Sequence, residues 1–140
     1  MAMNKPVVPM STAGLRILSV PGTVVAGSTV TVPVIVTNTS VYAGTTEKVP
    51  YTVVVRFRFY VKAGATIGQS DAKAYSIWID AGGQAHVNYT FTVPSAGYTL
   101  GYVKVELRNT GDSVFIGTTL QSSDFTITSA TITPGATIAF

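Results

Sequence analysis

An all-β chain is what this sequence predicts: an antiparallel sandwich of seven or eight strands with an extended arm at each end. Apolar residues alternate with polar ones at the two-residue period of half-buried strands. Gly, Pro, Asn and Asp punctuate these runs at short intervals, where turns need them. Ser, Thr, Gly and Asn fill the gaps between Val, Ile and aromatic residues, and good helix formers are scarce, so helix content should be near zero. With 140 residues there is enough chain for one domain and its core, and no room for a second.

Residues 1–14 carry two prolines and no periodicity of either kind, and read as an extended arm. The sandwich is expected over residues 15–128. Leu15 to Val20 is a short first strand, closed by Pro21-Gly22, a pair that favours a turn. In Ser28 to Asn38, Val30, Val32, Val34 and Val36 alternate with polar neighbours, and Pro33 should place this strand at an edge or in a bulge because it cannot donate to a ladder. Residues 39–50 read as a loop. Tyr51 to Lys62 is the strongest amphipathic strand, with Val53, Val55, Phe57, Phe59 and Val61 on one face and Arg56, Arg58, Tyr60 and Lys62 on the other.

Gly64 to Ser70 then reads as a turn-rich connection, and Lys73 to Asp80 and Ala85 to Val93 flank Ala81-Gly82-Gly83-Gln84, a glycine loop of the kind that closes a hairpin. Pro94 to Gly97 makes a corner before Tyr98 to Arg108, where Val103, Val105 and Leu107 point inward and Tyr102, Lys104, Glu106 and Arg108 outward. Asn109 to Asp112 turns the chain into the last two strands, Ser113 to Thr119 and Ser122 to Thr128. Residues 129–140 carry no charged side chain and are broken by Pro134-Gly135, and read as a second arm. No repeat of 20 to 50 residues stands out.

The run Gly27-Ser28-Thr29-Val30-Thr31-Val32-Pro33-Val34-Ile35-Val36-Thr37-Asn38, followed by Val55-Arg56-Phe57-Arg58-Phe59-Tyr60-Val61, resembles the early strands of bacterial CARDB-type and related immunoglobulin-like modules. Gly97-Tyr98 is similar to the corner before the sixth strand of such folds. The resemblance spans roughly residues 15–128 and implies an immunoglobulin-like antiparallel β-sandwich with no catalytic signature. It also implies adhesion or spacer modules at cell surfaces, or accessory domains on phage capsids and tails. This chain departs from the modular form by standing alone and by carrying apolar segments at both ends, which favours a virion setting.

Charged residues make up 11% of the chain, against roughly 25% in an ordinary soluble domain, while apolar residues reach 46%. That balance has two explanations, an unusually large core or apolar surface covered by a partner, and the apolar segments at both ends favour the second. No apolar run reaches the roughly 18 residues needed to span a bilayer as a helix, so no membrane partner is expected. There is no cysteine, hence no disulfide and no thiol chemistry. The start of the chain lacks the long apolar core of a secretory signal, which favours assembly in a cytoplasm. The net charge of +3 is too weak a bias to name nucleic acid as partner.

Catalysis finds little to work with. The single histidine, His86, alternates onto the outward face of its strand, and Glu47, Asp71, Asp80, Glu106, Asp112 and Asp124 form no spaced acid and base pair. Asp71, Asp80 and Asp112 read as turn residues. No metal or cofactor is expected, since converging ligands are missing. Gly82-Gly83 opens no helix and carries no lysine, so it is a turn and not a phosphate cradle. The sequons at Asn38 and Asn88 would matter only in a glycosylating pathway.

A non-enzymatic interaction protein is therefore expected, with a virion accessory (capsid decoration) subunit first and a cell-surface adhesion or carbohydrate-binding module as the alternative. Its partners would be a protein lattice such as a major capsid protein and further copies of itself, with carbohydrate as the alternative ligand. In an immunoglobulin-like topology the strands at 51–62 and 98–108 are neighbours, which joins Arg56, Arg58, Tyr60, Lys62, Tyr102, Lys104 and Arg108 into one basic, tyrosine-bearing face. Val7, Val8 and Met10 in the first arm and Ile132, Ile138 and Phe140 in the second complete the expected partner contacts. Phe57, Phe59, Tyr89 and Phe91 should be core, whereas Trp78 falls on the face opposite Ile77 and Ile79 and would be exposed there.

Overall fold

The computed structural model describes residues 6–11, 14–109, 116 and 119–129. Within them the chain forms eleven strands: β1 (Val7–Val8), β2 (Leu15–Ile17), β3 (Thr23–Val25), β4 (Thr29–Thr37), β5 (Val41–Tyr42), β6 (Tyr51–Ala63), β7 (Thr66–Ile79), β8 (Gln84–Thr92), β9 (Leu100–Arg108), β10 (Leu120–Gln121) and β11 (Phe125–Thr128). One sheet runs β2-β4-β8, and the larger runs β3-β11-β9-β6-β7 with β10 also on β9. The two sheets face each other as an immunoglobulin-like sandwich, antiparallel throughout except where β3 runs parallel to β11. Val7 and Val8 pair separately with Tyr42 and Val41.

The alternation read in the sequence is what fills the space between the sheets. Val30, Val32, Val34 and Val36 from β4 and Val87, Tyr89 and Phe91 from β8 meet Val53, Val55, Phe57, Phe59 and Val61 from β6 and Val103, Val105 and Leu107 from β9. Its centre is aromatic: Phe57 stacks on Tyr89 with centroids 4.8 Å apart, and Phe59 stacks on Phe91 at 4.1 Å and on Phe125 at 5.9 Å. Gly101 is obligatory beneath this stack, because a Cβ there would lie 2.9 Å from both the Phe125 and Phe59 rings.

Several expectations change. The chain passes from β6 into β7 through a two-residue turn, with Ala63 opposite Thr66, so residues 66–70 are strand and not a connection. Gly64 takes φ +60° in that turn, a conformation glycine adopts without a Cβ clash. Ala81 to Gln84 does not close a hairpin either. β7 belongs to the larger sheet and β8 to the smaller, and the loop carries the chain across the sandwich because β8 finds nine in-register partners on β4, from Thr29↔Thr92 to Thr37↔Gln84.

β4 is the central strand and not an edge, and Pro33 sits in no bulge, although β2 pairs only with Val34 to Val36. The Pro33 carbonyl accepts from the Leu18 amide, just past the end of β2, and the nitrogen of a strand residue faces the same flank as its carbonyl. The missing donor thus falls where the β2 ladder has already ended. Asp71 is no turn residue but lies within β7, and Asp112 lies outside the described residues. Thr23 to Val25, unread in the sequence, is a strand, and most of the expected strand at 113–119 lies outside the described residues.

The first arm is tied down rather than free. Met10 is 1% exposed within the core, and its amide donates to Ser40 Oγ at 2.8 Å. Behind it sits Asn38, also 1% exposed, whose Nδ2 donates to the carbonyls of Val49, Ile79 and Asp80 while its Oδ1 accepts from the Ser40 amide. One side chain joins the loop after β4 to the end of β7. Such burial takes Asn38 out of reach as a glycosylation acceptor.

Candidate interaction surface

Antiparallel pairing puts directly opposed residues on the same face of a sheet. Between β6 and β9 the pairs are Val54↔Arg108, Arg56↔Glu106, Arg58↔Lys104, Tyr60↔Tyr102 and Lys62↔Leu100. The sheet therefore brings together all seven residues read as its basic face. Between β6 and β7 the pairs Thr52↔Trp78, Val54↔Ser76, Arg56↔Ala74, Arg58↔Ala72 and Lys62↔Ile67 extend that face to the edge. Trp78, 61% exposed, and Ile67, 54% exposed, thus flank the cations on the strand next door.

These side chains organise one another. Tyr60 and Tyr102 stack at 5.1 Å with their planes 11° apart. Lys62 Nζ lies 5.1 Å from the Tyr102 ring centroid, and Lys104 Nζ lies 5.3 Å from that of Tyr60, so a cation covers each ring. Glu106, 6% exposed, takes Arg58 at 3.3 Å and Arg108 at 3.0 Å. Lys62 reaches Asp124 at 2.8 Å on the rim. Two carboxylates against five cations leave the face positive, and the internal pairs hold the arginines in place. Tyr102 is only 6% exposed and serves as the floor of the patch, while Tyr60, Lys62, Lys104 and the arginines are partly exposed.

Of the expected arm contacts, Val7 and Val8 are 40% and 49% exposed on β1, but Met10 is core and offers no surface to a partner. Pairing of β1 with β5 and the bond from the Met10 amide to Ser40 hold it there. Ile132, Ile138 and Phe140 lie outside the described residues. Trp78 joins the basic face through the β6-β7 register, a pairing hidden by the misread turn at residues 64–70.

A second polar cluster sits where β7 and β8 approach each other. Tyr89, fully buried in its ring, donates from its hydroxyl to Asp71 Oδ2 at 2.5 Å, and Lys73 Nζ donates to the Thr90 carbonyl. Burial, reinforced by the hydrogen bond to Asp71 and its charge, pushes the Tyr89 phenol far above its ordinary value; burial alone raises Tyr51. This cluster clamps the sheets. His86 is exposed on β8, and among the described residues no three His, Asp or Glu side chains converge on one point. An open groove of about 420 Å³ between β2 and β10 is lined by Leu15, Ile17, Leu18, Val20 and Leu120 with serines at its rim.

No family model and no curated protein matches the chain. Solved structures do. A cycloisomaltooligosaccharide glucanotransferase from a Paenibacillus species matches 79% of this chain at a TM-score of 0.54 and 17% identity, and an alkylpurine DNA glycosylase, AlkC, from Pseudomonas fluorescens matches 83% at 0.53 and 16% identity. The chain spans 13% of the first and 31% of the second. These likenesses are of fold.

Proposed function

We propose that this protein is a non-enzymatic structural subunit that binds a protein lattice, with decoration of a viral capsid as its setting. The observation that carries the reading is the outer face of β6, β7 and β9, where Arg56, Arg58, Lys62, Lys104 and Arg108 share one surface with stacked tyrosines and, toward its other end, an exposed Trp78. Arginine, tyrosine and tryptophan are the residues that dominate protein contact energies. The face is a flat sheet and not a cleft, which suits a broad partner surface bearing acidic groups. Exposed Val7 and Val8 on an anchored ribbon add a second contact region.

The test is gradient sedimentation of particles from producing cells, with cross-linking through the Lys62 and Lys104 amines. Cofractionation with particle-sized material and cross-links to its shell protein are expected, and Lys104→Glu should weaken both. A chain recovered wholly in the soluble fraction would sink the reading.

The alternative, a surface module that binds carbohydrate, draws on Trp78 alone, since an exposed indole on a flat sheet offers a stacking platform. Because it is the one tryptophan in the chain, its emission reports directly. Saturable quenching by polysaccharide, abolished in Trp78→Ala, would favour this alternative over the lattice.

A further inference from the structure

Among the described residues, β7 forms a ladder on one side only, with β6. The direction of its unused backbone groups follows from β9. The carbonyls of Val103 and Leu107 accept from Ser122 and Ile116, on the flank away from β6. Alternate residues of a strand bond to alternate sides, so Lys104 and Glu106 bond to β6 through Arg58 and Arg56. That leaves Phe57, Val55 and Val53 to bond Lys73, Tyr75 and Ile77 of β7. The amides and carbonyls of Ala72, Ala74, Ser76 and Trp78 consequently face the open edge.

We infer that this edge pairs antiparallel with the same edge of a second copy, making one continuous sheet across a two-fold axis. Four features of β7 fit a second copy. The edge-facing residues Ala72, Ala74 and Ser76 have short side chains, so another strand approaches without obstruction. Three of the eight large apolar side chains exposed among the described residues, Ile67, Tyr75 and Trp78, sit on this strand. Its two charges, Asp71 and Lys73, cancel, which gives a strongly charged foreign strand no complement.

Fourth, a register centred on Ala74 opposes no like charges: Lys73, its ammonium held at the Thr90 carbonyl, falls opposite the partner copy's Tyr75 on both sides of the axis. The shift in register between Phe59 and Tyr60, which leaves Ser70 as a bulge in β7, limits regular pairing to the part of the strand from Asp71 onward. The far edge of the same sheet is the three-residue β3, too short to propagate, so this sheet closes at two copies.

Sedimentation velocity on the full chain over a wide concentration range tests this. The wild type should pass from monomer to dimer, and Ala74→Pro, which removes one edge donor but no bond to β6, should raise the dissociation constant by at least about tenfold. Ala74→Asp, which opposes two carboxylates on the axis, should do the same, and it decides the matter should the proline variant fail to fold. A wild type that stays monomeric to about 1 mM, a limiting mass of three copies, or a dimer indifferent to both substitutions overturns the pairing. A monomer that still sediments with particles would overturn it while leaving the lattice reading intact.

Discussion

Asn38 shows how much one polar side chain can hold. Its amide, itself 1% exposed, donates to three carbonyls from two distant segments. Asn38→Ala strands those acceptors, and the expected loss is about 3 kcal/mol of unfolding free energy, read from a urea titration. A loss below about 0.5 kcal/mol would mean that water replaces the amide. Tyr89 gives a pH signature. Its folded pKa is raised, so its contribution is fully present below the unfolded value near 10 and declines as pH rises past it. Wild-type stability should fall above pH 10 with a component of about 1.4 kcal/mol per unit that Tyr89→Phe abolishes. An equal slope in both proteins would assign the effect elsewhere. Gly101→Ala forces a methyl against two rings and should cost about 1–3 kcal/mol.

At the scale of elements, β6 and β7 behave oppositely although they form one hairpin. β6 is central and its inward residues are buried to 2% or less, whereas β7 is an edge whose residues are mostly exposed. Substitutions on the outer face of β7 should therefore be silent in stability and visible in binding. Trp78→Ala is expected to change the unfolding free energy by no more than about 0.5 kcal/mol while weakening partner capture. Unfolding at lower denaturant with capture intact would make Trp78 a packing residue. The hairpin turn itself was illegible because Gly64-Ala65 is followed by Thr66 to Ser70, where four of five residues, Thr66, Gly68, Gln69 and Ser70, are polar or small and suit a loop as well as an exposed strand. β6 was legible because burial on one face forces strict alternation.

For the molecule as a whole, electrostatics and shape set what the surface can hold. Contacts made by the positive face should weaken with salt, because partly exposed cations are screened beyond a Debye length of about 8 Å at physiological ionic strength. Capture that is unchanged between about 50 and 500 mM salt, a roughly threefold drop in screening length, would point to the apolar ribbon instead. The strand class, the inward residues of β4, β6, β8 and β9, and the outward arginines and tyrosines are legible in the chain alone, since period-two alternation is a local property. Which strands pair, that the loop before β8 crosses between sheets, that Met10 is core, and that Trp78 shares a face with the arginines emerge only once the chain has folded. Those outcomes depend on register and on contacts between residues far apart in sequence, which no local pattern encodes.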